Sequence, residues 1–133
     1  MTKRIPSNSN IYHLMSRGNG RISIFEDRAD KLRILDLFIR AKDKYSVDIF
    51  AWCLMQNHYH LLVKGDFDTI SDFMLFINGS YARYFNKKYD RVGHLFQGRY
   101  VSVPIEAENQ FLQALRYIHL NPCGKVCKEP EDY

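Results

Sequence analysis

A chain of 133 residues can build one domain with a buried core and is too short for two. Its 46% hydrophobic and 26% charged residues exclude a disordered chain, and its longest apolar run, residues 49–55, falls far short of the roughly 18 residues a membrane helix needs. The formal net charge of +4 is concentrated in residues 83–99, where Arg83, Lys87, Lys88, Arg91 and Arg99 are set against Asp90 alone.

The opening MTKRIPSNSNIYHLM carries no apolar stretch of the secretory kind, so a soluble intracellular protein with no membrane partner is expected. Residues 10–17 (NIYHLMSR) alternate in part and end at Gly18 and Gly20, which predicts a strand and a loop. Asp27 is placed to cap a helix over residues 28–45, with Leu32, Leu35, Phe38 and Ile39 as its apolar stripe. Residues 47–55 (VDIFAWCLM) and 58–64 (HYHLLVK) read as two strands joined at Gln56-Asn57. A second helix, capped by Asp68 or Thr69, follows to about Lys88, with Ile70, Phe73, Met74, Ile77, Tyr81, Tyr84 and Phe85 in three-four spacing.

A loop with Gly93 and Gly98 leads to a strand at residues 99–105. A last helix begins near Ala107, turns Phe111, Ala114, Leu115 and Ile118 inward, and stops near residues 120–121 because Pro122 disfavours helix before it. The order β-α-β-β-α-β-α predicts a single domain over residues 1–133. Its class is α+β: a ferredoxin-like two-layer sandwich, with a four-stranded antiparallel sheet and helices on one face. Cys53, Cys123 and Cys127 form no CxxC pair and are expected as free thiols.

Three features carry chemistry. The basic residues of 83–99 alternate with Tyr84, Phe85, Tyr89 and Phe96, cations for phosphates beside rings for bases, the combination single-stranded nucleic acid favours; a solvated helix face with core rings would look similar. His58-Tyr59-His60 projects two imidazoles to one side of a strand, about 6–7 Å apart, where they can converge on a cation or simply hydrogen-bond on the sheet surface. On the last helix, at about 100° per residue, Tyr117 and Asn121 share a face while His119 points away. A phenol and an amide oxygen could thus be presented together, although spacing alone does not select Tyr117 from nine tyrosines.

Four motifs in order carry a resemblance. WCLMQNHYHLLV resembles the metal-binding strand of the HUH endonucleases, with Tyr59 as the bulky central residue; RYIHLNP resembles the nucleophile helix of their single-tyrosine transposase branch. GHLFQGRY resembles that branch's GxLWQxRY segment, with Phe96 in place of tryptophan, and SRGN (residues 16–19) an early motif of the transposases associated with repetitive extragenic palindromes. The resemblance implies that His58, His60 and Asn121 ligate a divalent cation, Mg or Mn. It also implies that Tyr117 attacks a phosphate of hairpin-flanked single-stranded DNA to give a 5′-phosphotyrosine. Arg17, Arg83, Lys87, Lys88, Arg91, Gln97 and Arg99 become candidate DNA contacts. A cytoplasmic, bacterial-type, nucleoid-associated protein is implied, as a monomer or a homodimer. Cys123-Gly124-Lys125 departs from the family's usual segment after NP without removing a proposed catalytic group. Two other readings stand beside the enzyme: a hairpin-binding regulatory protein descended from one, and an unrelated RNA binder or metal hydrolase of the same fold.

Overall fold

Alternation within IYHLMSR builds the first strand, β1 (Ile11–Arg17): Tyr12, Leu14 and Ser16 are buried on one side, while His13, Met15 and Arg17 take the other. The computed structural model describes residues 5–120. After β1 the elements are α1 (Arg28–Tyr45), β2 (Asp48–Leu54), β3 (His58–Lys64), α2 (Phe67–Lys88), β4 (Val101–Ile105) and α3 (Glu108–Leu120). The strands form one antiparallel sheet in the order β2-β3-β1-β4. Each of the first two helices therefore carries the chain over a neighbouring strand, as the ferredoxin-like expectation requires.

Local chemistry explains the boundaries. Asp27 caps α1 by accepting the Asp30 backbone N–H, as expected, and Ser46 ends it in the left-handed region at φ 54°. The second helix starts earlier than expected: it opens at Phe67 behind Asp66, and neither Asp68 nor Thr69 caps it. Edge strand β4 tolerates Pro104 because its outer side needs no ladder donor. It begins at Val101 rather than residue 99.

The main core lies between one sheet face and the pair α1/α2. Tyr12, Tyr59 and Tyr81 are its largest fully buried side chains, and each hydroxyl has a partner: the Ser7 N–H at 2.8 Å, Asn78 Oδ1 at 2.7 Å and the Ile24 carbonyl. On α1 the buried stripe is Ile34, Leu37, Phe38 and Ala41 with Leu35 at its margin; Leu32 and Ile39, expected inside, are exposed.

The expectation of helices on one face holds for α1 and α2 but not for α3. Ala114 and Ile118 of α3 pack on Ala51, Cys53, Leu62 and Ile105, which belong to the opposite face. The physical reason is in β3: Tyr59, His60, Leu61, Leu62 and Val63 are all buried, so both faces of that central strand need cover. At the β2 bulge between Ile49 and Ala51, the extra residue Phe50 meets Phe111 of α3 edge-on at 5.3 Å. The thiol of Cys53 is buried; Cys123 and Cys127 lie outside the described residues. No helix among the described residues is long and apolar enough to cross a membrane.

Candidate active site

The open face between β1, β3 and α3 collects the polar groups that the core rejects. In the antiparallel register Arg17 stands opposite His58, Met15 opposite His60 and His13 opposite Leu62, so these side chains share one face. The His58 and His60 side chains lie on one side of β3, as strand alternation requires, with rings 5.0 Å apart and nearly perpendicular. Tyr59, between them, points into the main core and donates to Asn78 Oδ1. Asn78 in turn donates to Ser16 Oγ at 2.8 Å, tying α2 to the residue before Arg17.

Helix α3 closes the arrangement. With Ile118 buried against the sheet, Tyr117 falls over the histidines: its ring is 5.4 Å from that of His60 and 6.0 Å from that of His13. It remains 52% exposed, so a substrate can reach it from solvent. Asn121 lies outside the described residues.

Burial disfavours the charged form of all three imidazoles. Burial, followed by the charges of His13, His58 and Arg17, pushes His60 down to about 3. Burial and then Arg17 lower His58, and burial lowers His13. Neutral imidazole is the form that ligates metal. The His58 Nδ1–H donates to Asn57 Oδ1 at 2.8 Å, leaving Nε2 a lone pair. The Nδ1 of His60 sits 3.0 Å from His13 Nε2, while its own Nε2 is buried without a hydrogen-bond partner.

Two nitrogen donors on one rigid strand fit the demands of a transition-metal-like divalent cation, and an orphaned buried Nε2 is the kind of atom such an ion satisfies. Among the described residues no group of three or more His, Cys, Asp or Glu side chains is arranged to hold a metal ion. The histidine pair would therefore need a further donor of another kind, or one from outside residues 5–120.

The candidate DNA contacts separate in space. Arg17 is exposed beside His58, and its carbonyl accepts the Gln97 N–H at 2.7 Å. With Asn19 N–H donating to Leu95 O at 2.8 Å and a bridge between Gly18 and Phe96, the SRGN and GHLFQGRY segments are stitched side by side. Gly18 is required there, because a Cβ would lie 2.5 Å from the Ile22 carbonyl oxygen. Phe96 packs edge-on against Tyr59 at 6.2 Å, so this ring serves the core. Arg99 lines a groove of ≈ 380 Å³ with Asn78, Phe96 and Tyr100.

Arg83 and Lys87 are exposed along α2, and Arg91 is bonded to Asn86 Oδ1 at 2.7 Å. Lys88 is differently employed. Its ammonium contacts Asp30 Oδ1 at 2.8 Å and Asp27 Oδ2 at 2.9 Å. The buried Asp30 also accepts from Tyr84, Tyr89 and the Glu26 N–H. Burial alone would raise the Asp30 carboxyl; the hydrogen bonds from Lys88, Tyr84, Tyr89 and Glu26 outweigh it and hold the group at about 2. The expectation that Lys88 faces phosphate gives way to a bolt between the start of α1 and the end of α2.

Two elements escaped the motifs. His13 is placed at the site by cross-strand pairing, and Asp30 anchors the helix pair. The usable signal for His13 was the i, i+2, i+4 alternation with Met15 and Arg17, once β1 and β3 are known to be neighbours.

A sequence profile described as IS200-like transposase matches residues 7–121. Among solved structures, a REP-associated tyrosine transposase bound to a REP hairpin superposes with TM-score 0.73 at 16% identity, covering 96% of this chain and 75% of that one. A candidate transposase from Deinococcus radiodurans R1 superposes with TM-score 0.61 at 20% identity, covering 90% and 95% respectively. No functionally curated protein matches the chain.

Proposed function

The chain belongs to the IS200-like transposase family, and from that membership and the geometry above we propose that it cleaves and rejoins hairpin-flanked single-stranded DNA through Tyr117. The observation that carries the reading is the Tyr117 ring, solvent-accessible and 5.4 Å from the His60 ring of the same chain. Arg17, opposite His58, supplies a guanidinium to a phosphate lying on this face. The stitched 16–19 and 93–100 segments, with Arg99 in the adjoining groove, hold the strand. Hairpin DNA enters this reading because the REP-associated structural neighbour is bound to a hairpin.

His58 and His60 would hold a divalent cation, Mg or Mn, with Asn121 as the oxygen donor implied by the resemblance. When bound, that ion supplies Lewis-acid charge to a non-bridging phosphate oxygen. The Tyr117 oxygen attacks phosphorus, gives up its phenolic proton and forms a P–O bond as the P–O3′ bond breaks; the departing 3′-oxygen takes up a proton. The product is a 5′-phosphotyrosine, and attack by another 3′-hydroxyl reverses the step. One phosphodiester is exchanged for another, so no nucleotide cofactor is required. In this reading one chain brings the phenol and the imidazole pair together, since Tyr117 lies over its own chain's histidines.

The test is a denaturation-resistant protein–DNA adduct on labelled hairpin substrates with Mn or Mg. Adduct formed by the wild type and abolished by Tyr117→Phe supports the reading. Binding without adduct identifies a hairpin-binding regulator instead, and free ends without attachment identify a hydrolase.

A further inference from the structure

The two histidines of the HYH segment each have a different polar group behind Nδ1. For His58 it is Asn57 Oδ1, 2.8 Å from Nδ1. For His60 the atom facing Nδ1 is Nε2 of His13, 3.0 Å away on the neighbouring strand. A neutral imidazole has one N–H, so His60 has two arrangements. With the proton on Nε2, a buried N–H would have no acceptor, since that atom has no partner. With the proton on Nδ1, it is donated to His13 and Nε2 keeps a lone pair. Stranded buried donors are the rarer fault in folded proteins, and the second arrangement gives both histidines the same tautomer with both Nε2 lone pairs unspent.

We propose that His13 is a positioning residue: it accepts the His60 Nδ1–H, locks that tautomer and ring orientation, and aims the His60 Nε2 lone pair at the cation. The inference rests on the metal reading above and deepens it. His13 is not itself a ligand, because its Nε2 lone pair is directed at His60. Its place in the sheet, across from Leu62 and Val103, fixes its ring against the His60 ring at 5.1 Å. It thus occupies the position that a carboxylate or backbone carbonyl takes behind many metal-bound histidines.

The experiment combines two readouts on the full chain. Long-range ¹H–¹⁵N correlation spectra of the metal-free protein should show His60 as the Nδ1–H tautomer, with that preference lost in His13→Ala. Titration with Mn²⁺ should then show affinity reduced about 10- to 100-fold in His13→Ala and largely restored in His13→Gln, whose amide oxygen can accept the same proton. An Nε2–H tautomer in the wild type overturns the proposal without recourse to any variant. So does His13→Ala that keeps wild-type Mn²⁺ affinity, or His13→Gln no better than His13→Ala at an unchanged thermal midpoint. A wild-type chain that takes up no Mn²⁺ overturns the metal reading itself, a result distinguishable from failure of the positioning role alone.

Discussion

Arg17 and His58 stand directly opposite one another across β1 and β3, so a guanidinium and an imidazole share the open face of the sheet. The pairing is electrostatically adverse to a charged imidazole: after burial, Arg17 is the next cause that lowers His58. It keeps a fixed positive charge beside neutral nitrogen donors, the combination suited to an anionic phosphate. Arg17→Gln is expected to reduce adduct formation about 10- to 100-fold, toward the low end of what loss of one charge-stabilising donor costs. Because Arg17 is exposed, its thermal unfolding should match that of the wild type, and a variant that unfolds early but retains full activity would reverse this assignment.

Lys87 and Lys88 are sequence neighbours with different predicted phenotypes. Lys87 is exposed, whereas the Lys88 ammonium is spent on Asp27 and Asp30. If Lys87 contacts phosphate, Lys87→Ala should lower the slope of log affinity against log salt by about 0.7 on single-stranded DNA and leave stability alone. Lys88→Ala should lower the thermal midpoint and leave that slope unchanged. Equal slopes in wild type and Lys87→Ala would remove Lys87 from the DNA path.

This contrast shows where the sequence stops being informative. A charge run looks the same whether its lysines face solvent or carboxylates 58 and 61 residues away. The His58/His60 pair was legible because strand alternation is local. His13 was not, because its approach to His60 depends on the β1–β3 register, and β1 and β3 are far apart in the chain. On α1 two overlapping apolar sets competed; Ile34, Leu37 and Ala41 prevailed over Leu32 and Ile39 through packing that periodicity cannot weigh. The side taken by α3 was implicit in the doubly buried β3 strand, yet only the Phe50 bulge and the Leu62–Ile118 packing make it explicit.

Asp30 predicts an acid-sensitive helix pair. Its carboxyl sits at about 2 in the folded chain, below the ordinary value of 3.8. Between those values the unfolded chain binds the additional proton, so stability rises with pH there. The contribution is complete above about pH 4 and is lost as pH falls through about 2. Asp30→Asn should cost about 1–3 kcal/mol at pH 7, since it forfeits the charge-assisted hydrogen bonds from Tyr84 and Tyr89 and leaves the Lys88 ammonium with Asp27 alone. Urea denaturation at pH 7 and pH 3 reads the effect: the gap between variant and wild type should narrow at the lower pH. A constant gap would place the acid sensitivity elsewhere.

The contact between Phe50 and Phe111 governs how firmly Tyr117 is held over the histidines. On the sheet face α3 relies on few anchors, chiefly Ile118 and Ala114, where a fully buried aliphatic side chain contributes only about 1.5–3 kcal/mol. The edge-on Phe50–Phe111 pair adds about 0.5–1.5 kcal/mol at the far end of the same helix. Phe50→Ala removes that brace while leaving the main core, the histidines and Arg17 in place. The expected result is adduct formation slowed several-fold at saturating DNA, with DNA affinity nearly unchanged and the thermal midpoint lowered by only a few degrees, because a loosened α3 spends less time with the phenol at the phosphate. Measuring the single-turnover rate and the dissociation constant separately decides the matter. A variant with weakened binding and a normal rate would mean that Phe50 touches the DNA rather than seating the helix.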